Sequence, residues 1–169
     1  MIVYMVAPEV ATRSGATYFT AMSQTPASPD TFLCFSLASA ARAMNRVYAP
    51  LLEPLGLTYP QYMVLVALWA RDAQPVGAIG AQLALETNTL TPLLKRMSEA
   101  GLVTRTRSAA DERQVIVTLT GRGRALQEAA AHIPDAILAA TGLPADEAAA
   151  LTRQVNALRD RLAAVDTDA

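Results

Sequence analysis

One cysteine, Cys34, and one histidine, His132, are all that the sequence has of either residue, and this scarcity removes several functions at once. A single cysteine forms no intrachain disulfide, so the chain lacks a disulfide framework and reads as an intracellular, cytoplasmic protein. The two residues stand in separate segments with no metal-ligand spacing, so neither a metal nor a cofactor is expected. No Ser-His-Asp or Cys-His signature surrounds the thiol, and His132 reads as a helix-surface residue, which points away from an enzyme. Long apolar runs are missing as well, since no stretch approaches the roughly 20 residues of a membrane span. The opening MIVYMVA is apolar but short, lacks a basic start and is broken by Pro8 and Glu9, so it does not read as a signal peptide.

Aromatic residues are also few, at 5%, while Ala and Leu abound, which favours a mainly α protein because these side chains lose least on entering a helix. Hydrophobic residues make up 52% of the 169, ample for the core of one domain. The net charge of -1 hides an uneven distribution. Between Lys95 and Arg124 lie seven basic residues and three acids, whereas the remainder holds seven basic and twelve acidic residues. A basic lobe on an acidic body suits a polyanionic partner.

Residues 1–30 mix Pro, Ser, Thr, Ala and Gly without periodicity and read as a loose arm, within which Met22 is an alternative start. Apolar positions from Phe32 to Val47 predict a long first helix ending near Pro50. Thr58-Tyr-Pro-Gln61 has the form of a capping box and opens a buried second helix over 62–69. A short helix over 76–83, a polar turn over 86–89 and a further helix to Ala100 closed by Gly101 make a helix-turn-helix candidate. Two β-compatible segments, 102–107 and 114–119, flank the turn-forming SAADE of 108–112 and predict a hairpin. Thr120 caps a fifth helix through Ala140, bent near Pro134, and 146–164 reads as a sixth.

A recognition helix needs small hydrogen-bonding residues at an end that enters the major groove, with positive charge nearby for phosphates. Thr87, Asn88, Thr89 and Thr91, followed by Lys95 and Arg96, supply both. Taken alone, the cluster reads equally as a capped surface helix. The adjoining hairpin raises the DNA-binding reading, because Arg105, Arg107 and Arg113 would stand beside the same helix and an arginine on a narrow wing can enter the minor groove. Asp111 is expected to hold Arg113 by a charged hydrogen bond.

The stretch LTPLLKRMSEAGLVTRTRSAADERQVIVTLTGRGRAL over 90–126 resembles the recognition helix and wing of the MarR family of winged-helix regulators. LCF at 33–35, AARAM at 40–44 and YAPLLEPLGLTYPQY at 48–62 narrow the resemblance to the organic-hydroperoxide-resistance regulators, over about 32–143. It implies a mainly α fold with a small β-wing: a winged helix-turn-helix core over 59–120, flanked by dimerisation helices over 31–58 and 121–169. It further implies a homodimer bound to double-stranded operator DNA, with residues 87–91 at bases, Lys95 and Arg96 near the backbone and Arg113 at the wing tip. Glu86-Thr-Asn stands where the family usually has Asp-Ser-Gly, so the operator sequence is expected to differ.

By itself a lone cysteine among Phe32, Leu33 and Phe35 reads as a small buried hydrophobe. The resemblance implies instead that Cys34 is the peroxide-sensing thiol of a repressor, its thiolate stabilised by hydroxyls of Tyr48 and Tyr59 and oxidised by an organic hydroperoxide. Fourteen residues separate Cys34 from Tyr48, about 21 Å along one straight helix, so a two-fold partner would have to bring one copy's tyrosine to the other's cysteine. Tyr48 also fits an amphipathic core position with its hydroxyl at the rim. Two departures stand out: Ala38 occupies a position that the family commonly gives to tyrosine, and the second cysteine of many relatives is missing. The alternative keeps the DNA binding but replaces redox by a phenolic or similar small-molecule effector, with Cys34 structural.

Overall fold

The computed structural model describes residues 28–109, 111 and 113–165. Most of the arm expected over 1–30, with Met22, lies outside the described residues, as do two positions of the hairpin tip. The chain falls into two units, one ending at Arg42 and the other starting at Ala43. A single 3-10 turn, Pro29–Thr31, leads into helix α1, Leu33–Leu52, which runs across the division; none of the described side chains up to Arg42 is buried, whereas Leu52 at the end of the helix is. The helix ends near Pro50, as the sequence suggested, running two residues past it. A proline in the last turn removes a single N–H, and Arg46, four residues back, is exposed to water.

The second unit is organised around helix α2, Tyr59–Ala70, which opens with the expected capping box, Thr58 N–H donating to Gln61 Oε1 at 2.8 Å. This helix is apolar on nearly all sides and therefore central: Val64, Leu65 and Leu68 are fully buried. Strand β1, Gln74–Pro75, helix α3, Val76–Leu83, and helix α4, Thr87–Glu99, follow. Strands β2, Val103–Arg107, and β3, Val115–Leu119, pair antiparallel from Val103↔Leu119 to Arg107↔Val115. β1 adds to the free edge of β3 with Gln74↔Val117 and Pro75↔Ile116, giving the order β1-β3-β2. Proline is tolerated there because β1 is an edge strand.

The helix expected over 120–140 is two helices, α5, Gly121–Ala129, and α6, Ile133–Thr141. Pro134 in the first turn of α6 cannot donate to the preceding turn, and the Ile133 N–H instead closes a tight turn onto the Ala130 carbonyl at 3.0 Å. Helix α7, Ala145–Val165, ends the described chain and buries none of its residues. Leu52, Leu68, Ile79, Leu90, Leu94, Met97, Val103, Val117 and Ile133 form one continuous core beneath α4 and the sheet. Against that core α4 and the hairpin are held side by side.

Candidate nucleic-acid interface

The position of α4 is decided just before it starts. Ala84, in the left-handed region at φ 52°, ends α3, and Leu85 N–H returns to the Gly80 carbonyl at 2.9 Å. Glu86 is extended, and its carbonyl accepts from the N–H groups of Thr89 at 3.0 Å and Leu90 at 2.9 Å. Thr87, Asn88 and Thr89 therefore make the first turn of the helix and not the turn before it, as the sequence suggested. With Thr91, Lys95 and Arg96 they are exposed, while Leu90, Leu93, Leu94 and Met97 bury the opposite face. One helix end thus presents short hydroxyl and amide groups, the unpaired N–H groups of a first turn, and cations one to two turns on. Lys95 lies 3.8 Å from Glu99, an exposed pair that leaves its ammonium largely hydrated.

The β2–β3 hairpin follows α4 directly. Arg107 and Arg113 are exposed and Arg105 is half-buried, its Nε enclosed without a hydrogen-bond partner among the described residues. Asp111 accepts the main-chain N–H of Arg113 on Oδ1 at 3.0 Å and the side-chain amide of Gln114 on Oδ2 at 3.0 Å. Its carboxylate thus holds Arg113 by a charged hydrogen bond, as expected, and does so through the Arg113 main-chain N–H, which shapes the hairpin tip. Ser108 N–H to the Gln114 carbonyl at 2.9 Å closes the tip.

Three ties at the hairpin foot had no signal in the sequence. Arg122 Nη1 donates to the Ala100 carbonyl at the end of α4, 2.9 Å. Trp69 Nε1 donates to the Gly123 carbonyl, also 2.9 Å. Asp72 takes the Leu119 N–H on Oδ1 at 2.9 Å and Arg124 Nη2 on Oδ2 at 2.7 Å. Burial alone would raise the Asp72 pKa, but the main-chain N–H groups of Leu119 and Ala73, together with Arg124, outweigh it and hold the carboxyl below its ordinary range. The partners stand 47 and 52 residues away, beyond any local pattern.

Cys34 sits in the first turn of α1 and is exposed. Its neighbours Phe32, Leu33 and Phe35 are 40%, 61% and 40% exposed, so within one chain this apolar run does not enclose the thiol as the residue types suggested. In the second unit Tyr48 and Tyr59 pack with ring centroids 4.7 Å apart and ring planes tilted by 50°, and Tyr62 lies 6.0 Å from both Tyr48 and Trp69. Burial, then the neighbouring tyrosines, raises the pKa of Tyr48, and burial with Tyr59 raises that of Tyr62, so both hydroxyls stay protonated donors near neutrality. A cleft of about 370 Å³ opens between α2 and α5–α6, lined by Tyr62, Trp69, Gln127 and Pro134 among others. His132 is exposed at the start of α6, its Nδ1 3.1 Å from the Ala129 carbonyl. Among the described residues no three His, Cys, Asp or Glu side chains gather to hold a metal, and no helix is long and apolar enough to cross a membrane.

A polar-tipped helix packed beside a basic β-hairpin, with α3 behind it, defines a winged helix-turn-helix protein. The family described as transcriptional regulator SarA/Rot matches residues 46–129. The chain is 44% identical to the HTH-type transcriptional regulator TtmR of Methylorubrum extorquens, over 88% of this chain and 78% of that one. It is 49% identical to the organic hydroperoxide resistance transcriptional regulator of Bacillus subtilis, over 63% of this chain and 72% of that one. Reduced AbfR bound to DNA, a protein of Staphylococcus epidermidis, superposes with a TM-score of 0.66 at 39% identity, covering 77% of this chain and 90% of AbfR. AbfR is also known overoxidised on DNA and in a disulfide form. The chain belongs to the winged-helix MarR/SarA-type family and is a DNA-binding transcription regulator.

Proposed function

We propose that this regulator is a homodimeric repressor, released from its operator when an organic hydroperoxide oxidises Cys34. The observation that carries the reading is the exposed thiol of Cys34 in a chain 49% identical to an organic hydroperoxide resistance regulator. The thiolate attacks a peroxide oxygen; an S–O bond forms, the O–O bond breaks, and an alcohol leaves behind a sulfenic acid. With no second cysteine in the chain, a small cellular thiol then condenses with it, releasing water and forming a mixed disulfide. AbfR is bound to DNA both reduced and overoxidised, which favours the bulkier mixed disulfide as the releasing form here. In the dimer, Tyr48 and Tyr59 of the second copy supply hydroxyl donors to the thiolate.

Dimerisation is supported by α7. Ala148, Leu151, Val155, Leu158, Leu162 and Val165 recur at alternating spacings of three and four, a coiled-coil seam along a helix that buries none of its residues. Leu151, Val155, Leu162 and Val165 are 40–67% exposed. Such a stripe gains stability only when a second apolar surface covers it. Segments 31–58 and 121–169 are assigned to the dimer and 59–120 to the DNA-binding core. The two copies of α4 would then enter major grooves one helical turn apart, roughly 34 Å, on a palindromic operator. Thr87, Asn88, Thr89 and Thr91 meet base edges, Lys95 and Arg96 the phosphates, and Arg105, Arg107 and Arg113 the flanking minor groove, with Asp111 shaping the tip.

The test is binding to a duplex enriched by the protein from a randomised pool, before and after one equivalent of cumene hydroperoxide with a small thiol present. Release of the wild type, but not of Cys34→Ser, is the expected result. Equal binding of both throughout would favour the second reading, in which a phenolic or similar effector enters the Tyr62–Trp69 cleft and Cys34 is structural.

A further inference from the structure

We infer that Asp72 is a positioning residue for the wing: its carboxylate fixes the foot of the β2–β3 hairpin, so that the wing arginines meet DNA at one angle. The inference rests on the reading of that hairpin as a DNA-contacting wing.

The local construction is unusual. Helix α2 ends at Ala70, and within four residues the chain must turn into β1. Gln74, 6% exposed, turns its side-chain amide back onto the Ala67 and Arg71 carbonyls at 2.9 and 2.6 Å, which holds the helix end. Ala73 is forced to a φ of 56°, a conformation costly for any residue with a Cβ, and Asp72 Oδ1 secures it by accepting the Ala73 N–H at 2.8 Å. Antiparallel pairing sets Gln74 opposite Val117, so two residues on, position 72 faces Leu119. There the β1 backbone has already turned away, and the Asp72 carboxylate takes the Leu119 N–H in place of a main-chain carbonyl. Its other oxygen binds Arg124, from the second turn of α5.

A single carboxylate thereby joins the exit of α2, the last rung of β3 and the start of α5. The apolar contacts of Val117 and Leu119 and the Trp69–Gly123 hydrogen bond persist without it, so its removal loosens the hairpin foot while the core remains. The lever is long. Five residues of β3 span about 17 Å, so a tilt of about 10° at the foot moves the tip by about 3 Å, as much as a whole hydrogen-bond length. An arginine side chain carried at that tip would lose its contact in the groove, while α4, seated on its own buried face, would not move.

The experiment compares wild type, Asp72→Asn and Arg113→Ala on the same enriched duplex. Hydroxyl-radical cleavage reports the minor groove, and dimethyl sulfate reports guanine N7 in the major groove. Asp72→Asn is expected to keep major-groove protection, to lose the flanking minor-groove protection, and to weaken binding about tenfold. In the Arg113→Ala background the same change should add little, because the contact it positions is already gone. Unchanged minor-groove protection, or losses that multiply in the double variant, would overturn the inference. A wild type that protects neither groove would instead defeat the DNA-contact reading on which the inference rests. Should Asp72→Asn fail to fold, Arg124→Gln, which leaves both main-chain bonds to Asp72, gives the same comparison in weaker form.

Discussion

Adding one methyl group to Gly123 should destabilise this protein, although glycine-to-alanine changes in helices usually do the opposite. Gly123 lies in the first turn of α5, where alanine is ordinarily worth up to about 1 kcal/mol over glycine. A Cβ built there, however, runs into the Leu102 carbonyl and comes within 3.2 Å of Leu119 Cδ2. That carbonyl cannot yield cheaply, because it already accepts the Thr120 N–H and hydroxyl, both at 3.1 Å. Gly123 itself is held at both ends, its N–H donating to Thr120 Oγ1 at 3.0 Å and its carbonyl accepting from Trp69 at 2.9 Å. Overpacking of this kind costs about 1–3 kcal/mol, and displacing either hydrogen bond adds about 1 kcal/mol more. After the helix gain is subtracted, a loss of about 1–3 kcal/mol remains, or roughly 2–4 °C of Tm per kcal/mol at this chain length. Thermal unfolding at fixed protein concentration reads it. Gly121→Ala, two residues earlier with nothing within 4 Å of its Cβ, is the internal control and should hold or raise the Tm. A Gly123→Ala protein as stable as Gly121→Ala would refute the packing described for the hairpin foot.

If the protein is the proposed homodimer, Leu162→Glu, which places a charge in the exposed α7 seam, should convert it to monomer in sedimentation equilibrium with the helical circular dichroism largely intact; an unchanged mass would remove α7 from the interface. Because the Asp72 carboxyl is held below its unfolded value, its stabilisation is complete above the ordinary carboxylate range and is lost as pH falls through the lower folded value. The urea midpoint of wild type should therefore exceed that of Asp72→Asn near pH 6 and converge on it as the pH falls well below about 4, whereas a constant gap would contradict the assignment. Arg96→Ala should reduce the slope of log K against log salt by about 0.9 if the side chain contacts one phosphate, and an unaltered slope would remove that phosphate contact.

The architecture was largely legible because it rests on local signals. The Thr58–Gln61 box, the unbroken apolar run behind it and the alternation around the SAADE turn gave α2 and the hairpin almost to the residue. The same patterns misplaced boundaries wherever a single backbone angle decides them. Residues 87–89 have turn-like composition, yet the extended Glu86 lets them enter α4. Pro134 splits a helix that it was expected to bend. Strand β1 was illegible, since two residues have no period and exist as a strand only because β3 offers an open edge. The Asp72, Trp69 and Arg122 ties were hidden for the related reason that their partners are main-chain atoms or distant residues. Cys34 shows a third limit: apolar neighbours signal burial, but residue types do not say whether the chain's own core supplies it, and here Phe32, Leu33 and Phe35 stay exposed.

The most direct test of the central claim is the affinity of the purified protein for its enriched duplex with Cys34 reduced, oxidised by hydroperoxide and thiol, and replaced by serine. Tight binding of the reduced and serine forms is expected, with release of the oxidised wild type alone, reversed by dithiothreitol. Binding that ignores the state of Cys34 would contradict the claim.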